Sequence, residues 1–389
     1  MRFPEFEGEW GKSVLEKESI INPKTPQLQD EFIYIDLESV IKGKLTNKKH
    51  VSKSEAPSRA QRVLSKQDIL FQCVRPYQLN NYIHKESNNE QWVASTGYAQ
   101  IRTTSNDTNF LYQLLNTPKF NQDVLLRCTG SSYPAISSSD LGKISISVCS
   151  LEEQRKIGYF LSLLDKRIAT QNKIIEDLKI LKSTISEELF NKVLRFNKHG
   201  EDTYPEWEKQ KLGSFMSIPD KIQAFPIDKN KLLTVKLHLK GVMKNDSTES
   251  LSINGTTYYA RKKKQFIYGK QNLFNGAFGI IPDKYDGFLS SNDVPTLDVN
   301  HDKINHLFLI YYMGRRNYYM PLESLAIGSG SKRIHETTLL NLEIAIPTLE
   351  EQASIVSVIH SIERKINIEV STLQNFNSQK KYLLSNLFV

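Results

Sequence analysis

Ser150-Leu151-Glu152-Glu153-Gln154 and Thr348-Leu349-Glu350-Glu351-Gln352 are one phrase written twice, 198 residues apart from Ser150 to Thr348. The offset then runs on without a gap. Ile157 meets Ile355, Leu161 meets Ile359, Lys166-Arg167-Ile168 meets Arg364-Lys365-Ile366, and Leu189-Phe190 meets Leu387-Phe388. A period of this length marks a duplicated unit. Ser150 with Glu153, and Thr348 with Glu351, fit the capping box, in which the hydroxyl accepts from the third amide of a helix and the glutamate reaches back to the first. Each phrase therefore opens a helix.

From these starts the apolar positions alternate steps of four and three, which is the seam of a coiled coil. The first seam is Ile157, Leu161, Leu164, Ile168, Ile175, Leu178, Ile185 and Leu189; the second is Ile355, Ile359, Ile362, Ile366, Leu373, Phe376, Leu383 and Leu387. The breaks are matched as well: Gln171 answers Glu369, and Lys182 answers Lys380. Polar residues in a seam lower stability but fix register and partner. Forty helical residues span about 60 Å, longer than a body of this size is wide. That length favours two rods packed antiparallel, with the copies related by a pseudo-two-fold axis, over amphipathic helices that merely lie on their own bodies.

Upstream, Gly130-Ser131 matches Gly328-Ser329, and Ile144, Ile146 and Val148 match Leu342, Ile344 and Ile346. Further back the offset drifts. Asp68-Ile69-Leu70-Phe71 pairs with Gln271-Asn272-Leu273-Phe274, Gly43 with Gly241, and Trp10 through Leu15 with Trp207 through Leu212. The bodies read as mixed α/β. Period-two stretches at 32–37, 233–239, 142–148 and 340–346 predict strands. Asn254-Gly255, Asp286-Gly287 and Pro282-Asp283 predict turns, and 108–116 and 303–314 predict short helices. The stripe Phe308, Tyr311, Tyr312, Met313 reads as core. The fold class is α+β: two mixed α/β domains alternating with two long helices that pair as an antiparallel coiled coil. The boundaries are 1–149, 150–195, 196–347 and 348–389.

Composition narrows the function. A hydrophobic content of 39% with 24% charged residues suits a globular chain of two domains, and no stretch nears the roughly 20 apolar residues of a membrane span. The acids and proline of Met1-Arg2-Phe3-Pro4-Glu5-Phe6 do not make a signal peptide, so the reading is cytoplasmic. Cys73, Cys128 and Cys149 are too scattered for a disulfide framework or a zinc site and read as small apolar side chains. A net charge of +8 permits a polyanionic partner without requiring one. The run Arg261-Lys262-Lys263-Lys264, taken alone, reads as solvated surface.

Motifs of chemistry are missing. No Asn/Asp-Pro-Pro-aromatic loop is present for base methylation. Gly8-Glu9-Trp10-Gly11-Lys12-Ser13 is too short for a phosphate-wrapping loop, and Gly328-Ser329-Gly330 lacks the third glycine of a dinucleotide fingerprint. Neither a Ser-His-Asp arrangement nor metal-histidine spacing occurs among the eight histidines. A carboxylate cluster of Asp283 with Glu363 is unconvincing, because Glu363 sits on a long helix. The expectation is a chain without catalytic, metal or cofactor residues.

The helix starts at 151–154 and 349–352, the opening Phe3-Pro4-Glu5-Phe6-Glu7-Gly8-Glu9-Trp10 echoed by Tyr204-Pro205-Glu206-Trp207, and the Gly-Ser segments at 130 and 328 resemble the specificity subunit of type I restriction-modification enzymes. The resemblance covers essentially the whole chain. Cys149, where the family usually has the proline seen at Pro347, and Leu15-Glu16, against Leu212-Gly213, are modest departures. The resemblance implies two target recognition domains that each read half of a bipartite double-stranded DNA sequence, with the helices as a ruler. It also implies two methylation subunits carrying S-adenosylmethionine, and two restriction subunits that use ATP and Mg. Candidate DNA contacts are Gln72, Arg75, Tyr77, Tyr98, Arg102 and Ser132 in the first body, and Arg261, Lys262, Asn275, Asn292, Lys332 and Arg333 in the second. Forked or basic side chains can read base edges or hold phosphates. A coiled-coil scaffold without DNA specificity and an enzyme of unrecognised class stay open at this point.

Overall fold

The heptad pattern appears as two long helices, Leu151–Phe190 with 40 residues and Leu349–Asn386 with 38. The structure is a computed structural model that describes residues 1–388 other than 87–89, 197–203, 247–254 and 329. Asn254 and Ser329, and with them one expected turn and part of a Gly-Ser segment, lie outside the described residues. Contacts divide the chain into two units, and the division cuts both helices. Unit 1 is Met1–Ile174 with Glu369–Val389; unit 2 is Ile175–Ile368. The sequence division, which set the helices apart from the bodies, differs from this, because the helix ends are built into body cores. Ile157, Leu161 and Leu387 join Phe110 and Leu114 in unit 1, and Leu189, Ile355 and Ile359 join Phe308 and Leu309 in unit 2.

The polar breaks in the seam show how the helices pair. In unit 1, Gln171 Nε2 donates to Glu369 Oε2 at 2.5 Å, and Lys380 pairs with Asp165, which also accepts from Gln113 Nε2 at 2.6 Å. In unit 2, Lys182 pairs with Glu363 at 2.5 Å, and Glu363 accepts from the Tyr311 hydroxyl at 2.6 Å. Numbers rise on one helix as they fall on the other, so the pairing is antiparallel. All sixteen apolar seam residues are buried or half-buried, with the fullest burial toward the ends that enter the bodies. The seam is thus a two-helix contact in its middle and a body contact at its ends.

The repeated phrase joins each helix to its body. Ser150 Oγ and Thr348 Oγ1 accept from the amides of Glu153 and Glu351, both at 3.3 Å, as the capping box requires. The glutamates find other partners than the expected first amide. Each carboxylate is buried and takes an arginine from outside the helix: Arg2 holds Glu153 at 2.8 and 2.7 Å, and Arg195 holds Glu351 at 3.3 and 3.2 Å. A buried charge needs a counter-charge more than a further amide. Gln154 and Gln352 reach sideways instead and accept from the amides of Asp107 and Asn305 at 3.0 and 2.8 Å. Asp107 and Asn305 in turn cap the body helices Thr108–Leu115 and His306–Met313. Aromatic trios close the opposite helix ends, Trp10 with Phe110 and Phe388 in unit 1, Trp207 with Phe308 and Phe190 in unit 2.

Unit 1 has two four-stranded sheets. One runs Lys49–Ser52, Glu31–Ile35, Trp92–Ser95, Ala60–Val63, with only the central pair parallel; the other runs Ser19–Ile21, Tyr98–Thr103, Ile69–Gln72, Tyr82–Ile83, all antiparallel. Unit 2 repeats the second order with Met216–Ser217, Thr296–Val299, Phe266–Tyr268 and Phe278–Ile280, and keeps Tyr258–Ala260 paired with Leu289–Ser291. All four expected strands are trimmed, that over 32–37 ending at Ile35. Residues 142 and 340 end short helices, Ser138–Gly142 and Glu336–Leu340, so the strands before the long helices begin only at Ser145 and Glu343. The strand expected over 233–239 ends at Lys236, because His238 and Leu239 turn with φ of 59° and 57°. Glu31–Ile35 does not alternate between core and water. Ile33 and Ile35 enter one apolar cluster and Phe32 and Tyr34 another, so both faces are buried.

Candidate nucleic-acid interface

Two of the six candidates in unit 1 are internal, and a third is held against a buried acid. Gln72 is buried, and its Nε2 donates to Val74 O and Gln78 Oε1 at 2.7 and 2.8 Å. Tyr98 is fully buried, its hydroxyl donates to Asp36 O at 3.3 Å, and burial raises its pKa. Arg102 is locked on the fully buried Asp68 through Nε and Nη2, each at 2.8 Å, with Ser65 as a further acceptor. Gln72 and Tyr98 therefore serve the core, while Arg102 keeps an open edge beside its ion pair with Asp68.

The other three gather at one surface. Arg75 and Leu79 flank the turn Pro76–Gln78 in left-handed conformations, with φ of 55° and 54°. Non-glycine residues are uncommon there, and their presence often marks a functional loop. The Arg75 amide donates to Pro134 O at 2.8 Å, Val74 bridges to Ala135, and the guanidinium lies 4.4 Å from the centre of the Tyr133 ring. Tyr77 is 53% exposed and Tyr133 64%, and Ser132 beside it is also open. An arginine stacked on an exposed tyrosine, next to a second exposed tyrosine, offers flat apolar faces with donors at their rim. Tyr133 was not foreseen, although an aromatic immediately after Ser131-Ser132 was the available signal.

Unit 2 sorts differently. Arg261 is only 4% exposed; its guanidinium donates to Ser290 Oγ at 2.7 Å, Thr296 Oγ1 at 3.2 Å and Ser291 O at 3.3 Å. Burial among neutral acceptors pushes its pKa down to about 10. The basic run is therefore one interior arginine followed by three exposed lysines, Lys262 to Lys264. Asn292 and Arg333 come together: Asn292 Oδ1 accepts from Lys221 at 3.3 Å, and Arg333 Nε donates to neighbouring Asp293 at 3.2 Å. Lys221, absent from the sequence candidates, also lies 5.8 Å from the Tyr259 ring. Lys332 pairs with Glu323 at 3.2 Å in the open, and Asn275 is exposed on a separate turn closed by Gly276. Lys221, Asn292 and Arg333 form a polar and charged patch in unit 2, unlike the aromatic Arg75 surface of unit 1.

Among the described residues no group of three or more His, Cys, Asp or Glu is placed to hold a metal ion, and no helix is long and apolar enough to cross a membrane. Glu363 is engaged by Lys182 and Tyr311. Against this geometry, the type I restriction modification DNA specificity domain matches the chain twice, over residues 14–179 and 205–375. The chain belongs to that family.

The family's relatives extend the likeness along the chain. The MjaVIII specificity subunit of a type I restriction enzyme from Methanocaldococcus jannaschii is 26% identical over 273 residues, 66% of this chain and 64% of that one. The chain thus matches somewhat under two thirds of that relative's length. In fold it is similar to a type I restriction-modification S subunit from M. genitalium, with a TM-score of 0.59 at 13% identity over 100% of this chain and 99% of that one. A chain solved in work on complex assembly and conformational transition of the type I R-M system gives a TM-score of 0.58 at 20% identity, covering 98% and 97%. Both family matches start inside a body and end on a long helix, at 179 and 375, so a body with its following helix is the repeated family unit.

Proposed function

We propose that this chain is the DNA specificity subunit of a type I restriction-modification complex, in which each unit reads one half of a bipartite double-stranded target. The observation that carries this is the doubled specificity-domain match laid over two units with the same junctions and unlike exposed faces. Phosphate contacts would position the chain and make its affinity fall with salt, and base contacts would select the sequence. The chain supplies recognition and no chemistry. Two methylation subunits with S-adenosylmethionine would modify the target, and two restriction subunits would spend ATP, with Mg, on translocation and cleavage. Its place of work is the cytoplasm.

Methylation mapping of genomes with and without the gene tests the reading. A bipartite adenine-methylated motif that disappears with the gene is expected, and an unchanged methylome together with no salt-sensitive binding to duplex DNA would leave only a scaffold. Matched heptads inserted beside Gln171 and Glu369 would lengthen both helices by about 10 Å, roughly three base pairs. The gap between half-sites should widen while each half-sequence stays the same.

A further inference from the structure

Arg62 has a buried N–H that no described residue accepts. It lies on the edge strand Ala60–Val63, opposite Ala94 of Trp92–Ser95. Its side chain is half-buried, and its Nε is shut away from solvent with no acceptor among the described residues. The titratable group that acts on it electrostatically is the Cys73 thiol, which burial pushes up to about 12 and so keeps neutral. Burial accordingly lowers the Arg62 pKa with no carboxylate to restore it. Unit 2 has answered the same problem. The equivalent strand, Tyr258–Ala260, leads into Arg261, which is satisfied by Ser290, Thr296 and Ser291. The backbone position of Cys73, marked by the Ile136 amide on its carbonyl, is taken in unit 2 by Lys270, paired with Glu336 at 3.0 Å.

A guanidinium N–H buried without an acceptor destabilises a fold unless a ligand draws the group into a completed contact. Its depth indicates which ligand. Base edges lie about 8.5 Å below the rim of the major groove, so a base reader must protrude, whereas phosphates protrude and can enter a recess. Arg62 is half-buried with its Nε fully covered, while Tyr77 and Tyr133 stand open. Cys73 ties the two places together, because its carbonyl receives the amide of Ile136 at the end of the loop that carries Tyr133, and Val74 next to it bridges to Ala135.

We propose that Arg62 is the DNA phosphate anchor of unit 1, positioning the duplex for the Arg75, Tyr77 and Tyr133 surface without itself reading sequence. This rests on the reading of the chain as a DNA specificity subunit. The test uses the full chain with its methylation partner and a duplex bearing the mapped site, comparing wild type, Arg62→Ala and Arg62→Gln over a salt series. Binding should weaken about tenfold on specific and unrelated duplexes alike, consistent with one charge-assisted contact. The slope of log affinity against log salt should become shallower by about 0.9, the share of one phosphate, and the methylated sequence should stay the same. Thermal stability without DNA should hold or rise in both variants, where a structural arginine would lower it. Unchanged affinity and slope with intact wild-type binding would overturn the anchor alone, and so would an altered first half-sequence, or a fall in stability without loss of binding. Wild type that shows no salt-dependent DNA binding at all would instead overturn the function on which the anchor rests.

Discussion

The two units agree residue for residue where a body meets a long helix and part company where a body meets solvent. Trp10, Phe110 and Phe388 have their counterparts in Trp207, Phe308 and Phe190, and Gln113–Asp165–Lys380 has its counterpart in Tyr311–Glu363–Lys182. At the faces, an arginine stacked on a tyrosine stands against a lysine, an asparagine and an ion-paired arginine. Junctions carry packing that cannot change one partner at a time, because interior side chains are close-packed and a cavity or an orphaned charge is costly. Exposed loops carry no such constraint. Duplication thus leaves a rigid frame in duplicate and two surfaces free to differ.

The strongest way to break that comparison is to attack the aromatic trios. Trp207→Ala should cost unit 2 about 3–5 kcal/mol, the range for emptying a buried tryptophan site. Trp10→Ala should cost unit 1 somewhat less, since Trp10 is only half-buried. Urea unfolding followed by circular dichroism reads both. If either variant unfolds at the wild-type midpoint, the trios are not equivalent closures.

The arginines test the faces. Arg261→Ala empties a buried site and should cost about 2–4 kcal/mol, whereas Arg62→Ala should cost nothing measurable. Equal losses in thermal midpoint would erase the distinction between a satisfied and a waiting guanidinium. At the helix starts, Gln154→Ala and Gln352→Ala should each cost about 1–3 kcal/mol for orphaning buried groups. The larger loss should fall on Gln154, whose Nε2 serves Asn106 and Cys149 where that of Gln352 serves Pro347. Differential scanning calorimetry of the pair decides it, and the reverse order would contradict the count of partners.

The seam, its matched polar breaks and the capped starts were legible in the sequence because helix periodicity is local: a residue at step three or four faces the same neighbour whatever the body does. Strands obey no such local rule. Whether Gln72, Tyr98 or Arg261 faces water depends on what covers each sheet, and here all three are buried, so they bind Gln78, Asp36 and Ser290. Arg75, Tyr77 and Ser132 come to the surface because turns and Gly-Ser segments lie outside by necessity. Arg62 was invisible for the complementary reason. Its interest lies in a missing partner, and a missing partner is a property of the fold.

The smallest expected effect concerns acid. His84 is buried against Trp92 with ring centres 5.2 Å apart, and burial lowers its pKa from the ordinary 6.5, with Lys48 adding to the shift and Asp68 and Glu86 opposing it. In unit 2, His306 is lowered by burial and then by His301 and Lys264, against Asp283. For a depressed histidine the unfolded chain takes up a proton first. Its contribution to stability is therefore complete above pH 6.5, declines as pH falls below that value, and is exhausted once the folded histidine also titrates. Both units should soften slightly below pH 6.5, each through its own histidine. His84→Phe should flatten that decline for the unit 1 transition and leave the unit 2 transition unchanged; His306→Phe should do the converse. Thermal midpoints measured from pH 7.5 to 5.0 would show it. A decline that survives both substitutions would mean that carboxylates, not these two rings, set the acid limit of the fold.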